Sequence, residues 1–116
     1  MKIKIGQWYR YNNKIRQVDE MLVKMANDGV FNIKYKIEDT PQELIEVGDL
    51  VELILPHDPN IKEKALVLDI DSDYINVDSD YIYTRVAVVK KELITEIWTR
   101  INNDTYKCQW RKYEKD

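Results

Sequence analysis

The sequence predicts an all-β fold, a small antiparallel barrel or sandwich, on three observations. Apolar residues recur at every second position in short runs such as "VFNIKYKI" and "YINV", the spacing that places alternate side chains on one face of a strand. Turn-forming residues interrupt these runs roughly every 8–12 residues. Three glycines against eight tyrosines in 116 residues favour extended, side-chain-packed structure over glycine-rich phosphate loops.

The elements follow in order. "IKIGQWYRY" predicts a first strand with Ile3, Ile5, Tyr9 and Tyr11 on one face and Trp8 and Arg10 on the other. Asn12-Asn13 is a turn, because asparagine tolerates positive φ. "KIRQVDEML" reads as the returning strand of a hairpin, and "ANDG" at 26–29 as a second turn. "VFNIKYKI" at 30–37 alternates again. Thr40, Pro41 and Glu43 form a helix-start pattern, but Gly48 follows so soon that only a short helical turn fits. "VGDLVEL" turns into a strand, and "PHDPN" at 56–60 is a loop by its two prolines. "KALVLDI", "YINV" and "YIYTRVAVV" are strands, and a further strand begins near Ile94 in "KKELITEIWT". "NND" at 102–104 turns the chain into a last strand, "TYKCQW", with Tyr106, Cys108 and Trp110 on one face.

A length of 116 residues suits a single compact domain over 1–116. A faint echo, Gly6 with "IGQWYRY" and Gly48 with "VGDLVEL", suggests two related SH3-like half-units, 1–47 and 48–116. Chance similarity between hairpins explains the echo equally well. No apolar run reaches the roughly 18–20 residues that span a bilayer, and "MKIKIGQWYRY" lacks the apolar core of a signal peptide. One cysteine, Cys108, excludes an internal disulfide or a cysteine zinc cluster and fits a cytoplasmic setting.

The net charge is −3, which argues against a general DNA binder. Its distribution is uneven. Residues 1–16 hold five basic residues and no acid, residues 100–116 are at +2, and the middle is at −10.

Catalytic machinery is not legible. The one histidine, His57, lies between prolines, and no phosphate loop or nucleophile elbow occurs. No enzyme activity, cofactor or resident metal is expected. Five aspartates in "DIDSDYINVDSD", residues 69–80, resemble the start of a calcium loop. However, position 6 would be Tyr74 instead of glycine, and position 12 Asp80 instead of glutamate. Asp-Ser-Asp at 71–73 and at 78–80 reads as two hairpin turns, with a weak adventitious cation site as the lesser alternative.

The ends carry the candidate site. Trp8 and Arg10 near one terminus, and Lys107 and Arg111 near the other, face away from the predicted core. Lys107, Gln109, Arg111 and Tyr113 share that outer face. If the first and last strands are neighbours, the four candidates merge into one cationic aromatic surface. That surface would stack bases and neutralise phosphates, or anchor a protein partner. The bland alternative is basic side chains snorkelling over a sheet.

"KIGQWYR…NNKIRQV", "QELIEVGDLVEL" and "KKELITEIWT" together resemble a group of small, mostly uncharacterised proteins from phages and prophages of low-GC Gram-positive bacteria. The matching positions are Ile5, Gly6, Trp8 and Arg10, then Leu44 to Asp49 and Val51, then Lys91, Glu92, Ile94, Ile97 and Thr99. The chain departs from the pattern at "PHDPN" and at "NNDTYKCQW". The resemblance implies a cytoplasmic phage or prophage protein that acts stoichiometrically on a host system, in the manner of an anti-defence inhibitor. It would bind a nucleotide signal or a protein effector, with a nucleic-acid-binding module as the alternative function. Edge strands in so small a fold add the expectation of a homo-oligomer.

Overall fold

The computed structural model describes residues 3–29, 36–55, 58–78 and 86–113. It is mostly β, with two antiparallel sheets, as the alternation predicts. The chain divides into two compact units, Met1–Leu44 and Ile45–Asp116.

In the first unit, β1 (Trp8–Tyr11) and β2 (Lys14–Gln17) form a tight hairpin with Tyr11 opposite Lys14. Asn12 and Asn13 have φ of 47° and 64°, the paired positive values of a two-residue turn whose twist matches the strands. β3 (Lys36–Glu38) pairs with the other side of β1. Val30 to Tyr35, most of the alternating run assigned to a third strand, lie outside the described residues.

The returning strand expected over "KIRQVDEML" stops at Gln17. Asp19 ends it by capping a helix, α1 (Glu20–Asn27), its carboxylate accepting from the Leu22 amide at 2.9 Å. Leu22, Val23 and Ala26 then pack with Tyr9 and Ile37 against buried Ile3 and Val18. The 3.6-residue period of this short segment hides behind residues compatible with either structure. Asp19→Ala is expected to cost about 1 kcal/mol, the usual value of an N-cap, read as a loss of α1 amide protection in hydrogen exchange. No change in protection would show that packing alone holds α1.

The first strand also starts later than expected. Gly6, at φ +95°, turns the chain, and its amide donates to the Val18 carbonyl at 3.1 Å. This breaks the alternation that linked Ile5 to Tyr9, and Ile5 is exposed. Arg10 is buried on the face opposite Tyr9, where its guanidinium meets the Leu44 carbonyl. The expected outward face of Arg10 is therefore corrected. A short 3-10 turn at Pro41–Leu44 matches the expected helical turn.

The second unit is a six-stranded sheet. Its strands are β4 (Leu50–Leu55), β5 (Asp58–Ile70), β6 (Tyr74–Asp78), β7 (Val86–Lys90), β8 (Ile94–Asn102) and β9 (Thr105–Arg111). The order is β7-β6-β5-β4-β8-β9, with a 3-10 turn at Lys91–Leu93 leading into β8. Val51, Leu53, Ala65, Val67, Ile75, Val77, Ile94 and Ile97 are all buried and form the core face.

Part of the expected "PHDPN" loop is strand, since β5 begins at Asp58. Proline is tolerated at the first positions of a strand, which reconciles Pro59 with that start. Pro56 and His57 lie outside the described residues. Asp71-Ser72-Asp73 closes the β5–β6 hairpin as expected. The Asp71 amide donates to the Tyr74 carbonyl at 2.8 Å, and Lys91 Nζ donates to the Ser72 carbonyl at 2.8 Å. The second such turn, and residues 81–85 of "YIYTRVAVV", are outside the described residues.

Candidate functional site

The face of the second sheet opposite its apolar core carries a polar cluster, and cross-strand register builds it. Glu52 on β4 lies directly opposite Glu96 on β8, and Leu50 opposite Trp98. Lys64 on β5 is opposite Glu52, and Arg111 on β9 is opposite Glu96. Side chains two apart on a strand, or opposite each other in a ladder, share a face. Glu52, Lys64, Glu96, Trp98 and Arg111 therefore converge.

Trp98 is the centre. Its indole Nε1 donates to Glu96 Oε1 at 2.8 Å. Lys64 Nζ lies 3.9 Å from the ring centroid and Arg111 Cζ 5.8 Å from it, both within cation–π range. Arg111 Nε is 3.5 Å from Glu96 Oε1. Thr95 Oγ1 lies 3.2 Å from the Glu52 carbonyl oxygen and 3.3 Å from its Oε1. Glu52 and Glu96 are buried at 8% and 4% exposure. Two buried carboxylates directly opposite each other repel, and Lys64, Arg111 and the Thr95 hydroxyl offset this.

The predicted site residues divide between the two units, Trp8 and Arg10 in the first and Lys107 and Arg111 in the second. Trp8 is half-buried on β1. Arg10 is 7% exposed, its guanidinium donating to the Leu44 carbonyl and to Asn13 Oδ1, both at 3.0 Å. β1 has β2 on one side and β3 on the other, so the last strand is not its sheet neighbour. Lys107 and Arg111 lie on opposite faces of β9. A β-bulge between Ile97 and Trp98 pairs Trp98 with Cys108, but Ile97 with Trp110. One extra residue in a strand reverses the alternation beyond it. Lys107 consequently shares the Thr99 face, while Arg111 and Cys108 share the Trp98 face. The same bulge separates Trp110 from Cys108.

Lys64, Glu52, Glu96 and Trp98 were missed as site residues. The spacing of Glu96 and Trp98 in "TEIWT" signals one strand face. The strand partners that bring Lys64 and Glu52 there leave no local mark.

Cys108 is half-buried, and its Sγ is 3.5 Å from the Trp110 carbonyl oxygen. Burial raises the thiol pKa above its ordinary value, opposed by the nearby Arg111 charge and reinforced by Glu96. A raised pKa leaves less reactive thiolate near pH 8. Alkylation by iodoacetamide is expected to be several-fold slower in the native protein than in urea. Equal rates would place the thiol in open solvent.

A separate pocket of about 540 Å³ is lined by Asp69, Ile70, Asp71, Tyr74, Asn76 and Val88. Among the described residues no group of three or more histidine, cysteine, aspartate or glutamate side chains is placed to hold a metal ion, and no helix is long and apolar enough to cross a membrane. No protein-family model matches the chain, and comparison with curated proteins and with solved structures yields no significant match.

Proposed function

We propose that this chain is a non-enzymatic binding protein that acts stoichiometrically on a protein effector through the Trp98 surface. The observation that carries this reading is the matched charge around Trp98: Lys64 and Arg111 face Glu52 and Glu96 across adjacent strands. A nucleotide signal or a nucleic acid needs cations left over for its phosphates, and Arg111 is already paired with Glu96. A tryptophan held by a hydrogen bond and flanked by an arginine is instead the composition of protein interface hot spots. The strand order β8-β4-β5-β6-β7, with a 3-10 turn before β8, supports an SH3-like reading of the second unit. The resemblance to phage and prophage proteins supports a host defence system in the bacterial cytoplasm as the setting. Assembly as a homo-oligomer belongs to the same proposal.

Native mass spectrometry of the protein purified from its host tests this reading. The expected result is one polypeptide retained at fixed ratio in repeated preparations, lost in Trp98→Ala, with the subunit number read from the same spectrum. A retained mass of nucleotide size that survives Trp98→Ala would replace the protein effector with a nucleotide signal.

A further inference from the structure

We propose a second docking surface, where β7 meets the β5–β6 hairpin, for an extended basic segment of a protein partner. The segment adds to the β7 edge and seats an arginine or lysine in the adjoining pocket. This rests on the reading above that the ligand is a protein, and concerns other residues than those clustered around Trp98.

β7 is the terminal strand of its sheet, with β6 as its strand neighbour among the described residues. Its sequence is VAVVK, and Val88 is 65% exposed. Edge strands are commonly guarded by charge, proline or a bulge. Here four residues without charge, proline or glycine precede a single lysine, and the β6–β7 ladder runs from Asp78–Val86 to Tyr74–Lys90 without a register shift. Such an edge accepts a further strand through backbone hydrogen bonds.

The pocket beside this edge names the chemistry of the segment. Asp69 and Val88 are both opposite Asn76, so the three form one row across β5, β6 and β7. Asp69 Oδ1 accepts from the Ile70 amide at 2.9 Å, and Asp71 Oδ1 from the Ser72 amide at 2.8 Å. Each carboxylate thus gives one oxygen to a local bond, and a carboxylate has acceptor sites on both. Tyr74, 41% exposed, and Val88 supply an apolar wall. Two carboxylates, an amide and a phenol over such a wall complement a cationic head on an aliphatic stem. Lys91 does not fill that role, since its ammonium is held on the Ser72 carbonyl at 2.8 Å.

The test is NMR titration of the full chain with the acetylated, amidated peptide Val-Arg-Val-Arg-Val, and with its citrulline counterpart, which keeps the shape and removes the charge. Saturable amide shifts at Tyr74, Asn76, Val88 and Lys90 are expected. Affinity should fall by about tenfold for the citrulline peptide and for the Asp69→Asn/Asp71→Asn variant, whose amide oxygens preserve the local turn bonds. Arginine amide alone should shift the pocket but leave β7 edge amides unprotected from exchange. Equal binding of the two peptides, or no shift up to about 5 mM, would overturn the proposal. So would concentration-dependent β7 shifts without peptide, which would make a second copy of the chain the occupant. Peptide binding that persists in Trp98→Ala is expected, and its loss in a folded variant would transfer the segment to the Trp98 surface. Failure of the peptide leaves the Trp98 reading intact, because capture through Trp98 is measured separately.

Discussion

Glu96→Ala is expected to destabilise the second unit by about 3 kcal/mol, because the carboxylate is the shared partner of two neighbours. It accepts the Trp98 indole at 2.8 Å and faces Arg111 at 3.5 Å. Truncation leaves an indole N–H without its acceptor in a half-buried place and opens a gap beside Glu52. Breaking a buried charged pair by removing one member costs about 3–5 kcal/mol, and the lower end applies because Arg111 is 37% exposed. Glu96→Gln gives the contrast. Its side-chain oxygen still accepts the indole, and removing one charge opposite Glu52 relieves a like-charge pair. Its cost should stay within about 1 kcal/mol. Urea unfolding followed by tryptophan fluorescence separates the two. Equal losses would show that charge, and not the indole bond, holds the cluster.

The second large effect is expected in the other unit. Arg10→Ala should cost about 2–3 kcal/mol: its guanidinium reaches the Leu44 carbonyl and Asn13 together, each at 3.0 Å, and hydrogen bonds to charged groups contribute about 1.5–3 kcal/mol. Arg10→Lys should recover less than half, since one ammonium does not reproduce the planar fork that serves two acceptors. Hydrogen exchange across β1 and β2 is the measurement. Partner capture at the Trp98 surface should be unaffected wherever the variant remains folded. Undiminished stability with loss of capture would return Arg10 to the ligand role that its sequence position suggests.

That contrast shows where the sequence was legible. The Asn12-Asn13 hairpin, the helical turn at Pro41, the Asp71–Asp73 turn and the strand starting at Ile94 were readable because each depends on residues within a few positions. The helix after Asp19 was not, because its eight residues are too few for their period to outweigh a strand pattern, and packing on Ile3 and Val18 decides the matter. The exposure of Arg10 was misread because the segment ending at Leu44, distant in sequence, covers the face of β1 opposite Tyr9. Lys107 and Arg111 were grouped because strict alternation was carried through a bulge that only the pairing of β9 with β8 reveals.

The sequence by itself determined that the chain is mostly β, where its polar turns fall and which short runs are extended, since these follow from backbone preferences and period-two burial acting locally. Only the tertiary structure decided which residues meet. Lys64, Glu52, Glu96 and Arg111 come from four different strands, and they share one face with Trp98 because of strand order and register. Those are fixed by burying Val51, Leu53, Ala65, Val67, Ile94 and Ile97 on the opposite face. A one-residue shift would exchange the two faces and expose that core. The free energy of burying the apolar side thus selects the polar side, a coupling between distant segments that no short stretch of sequence records.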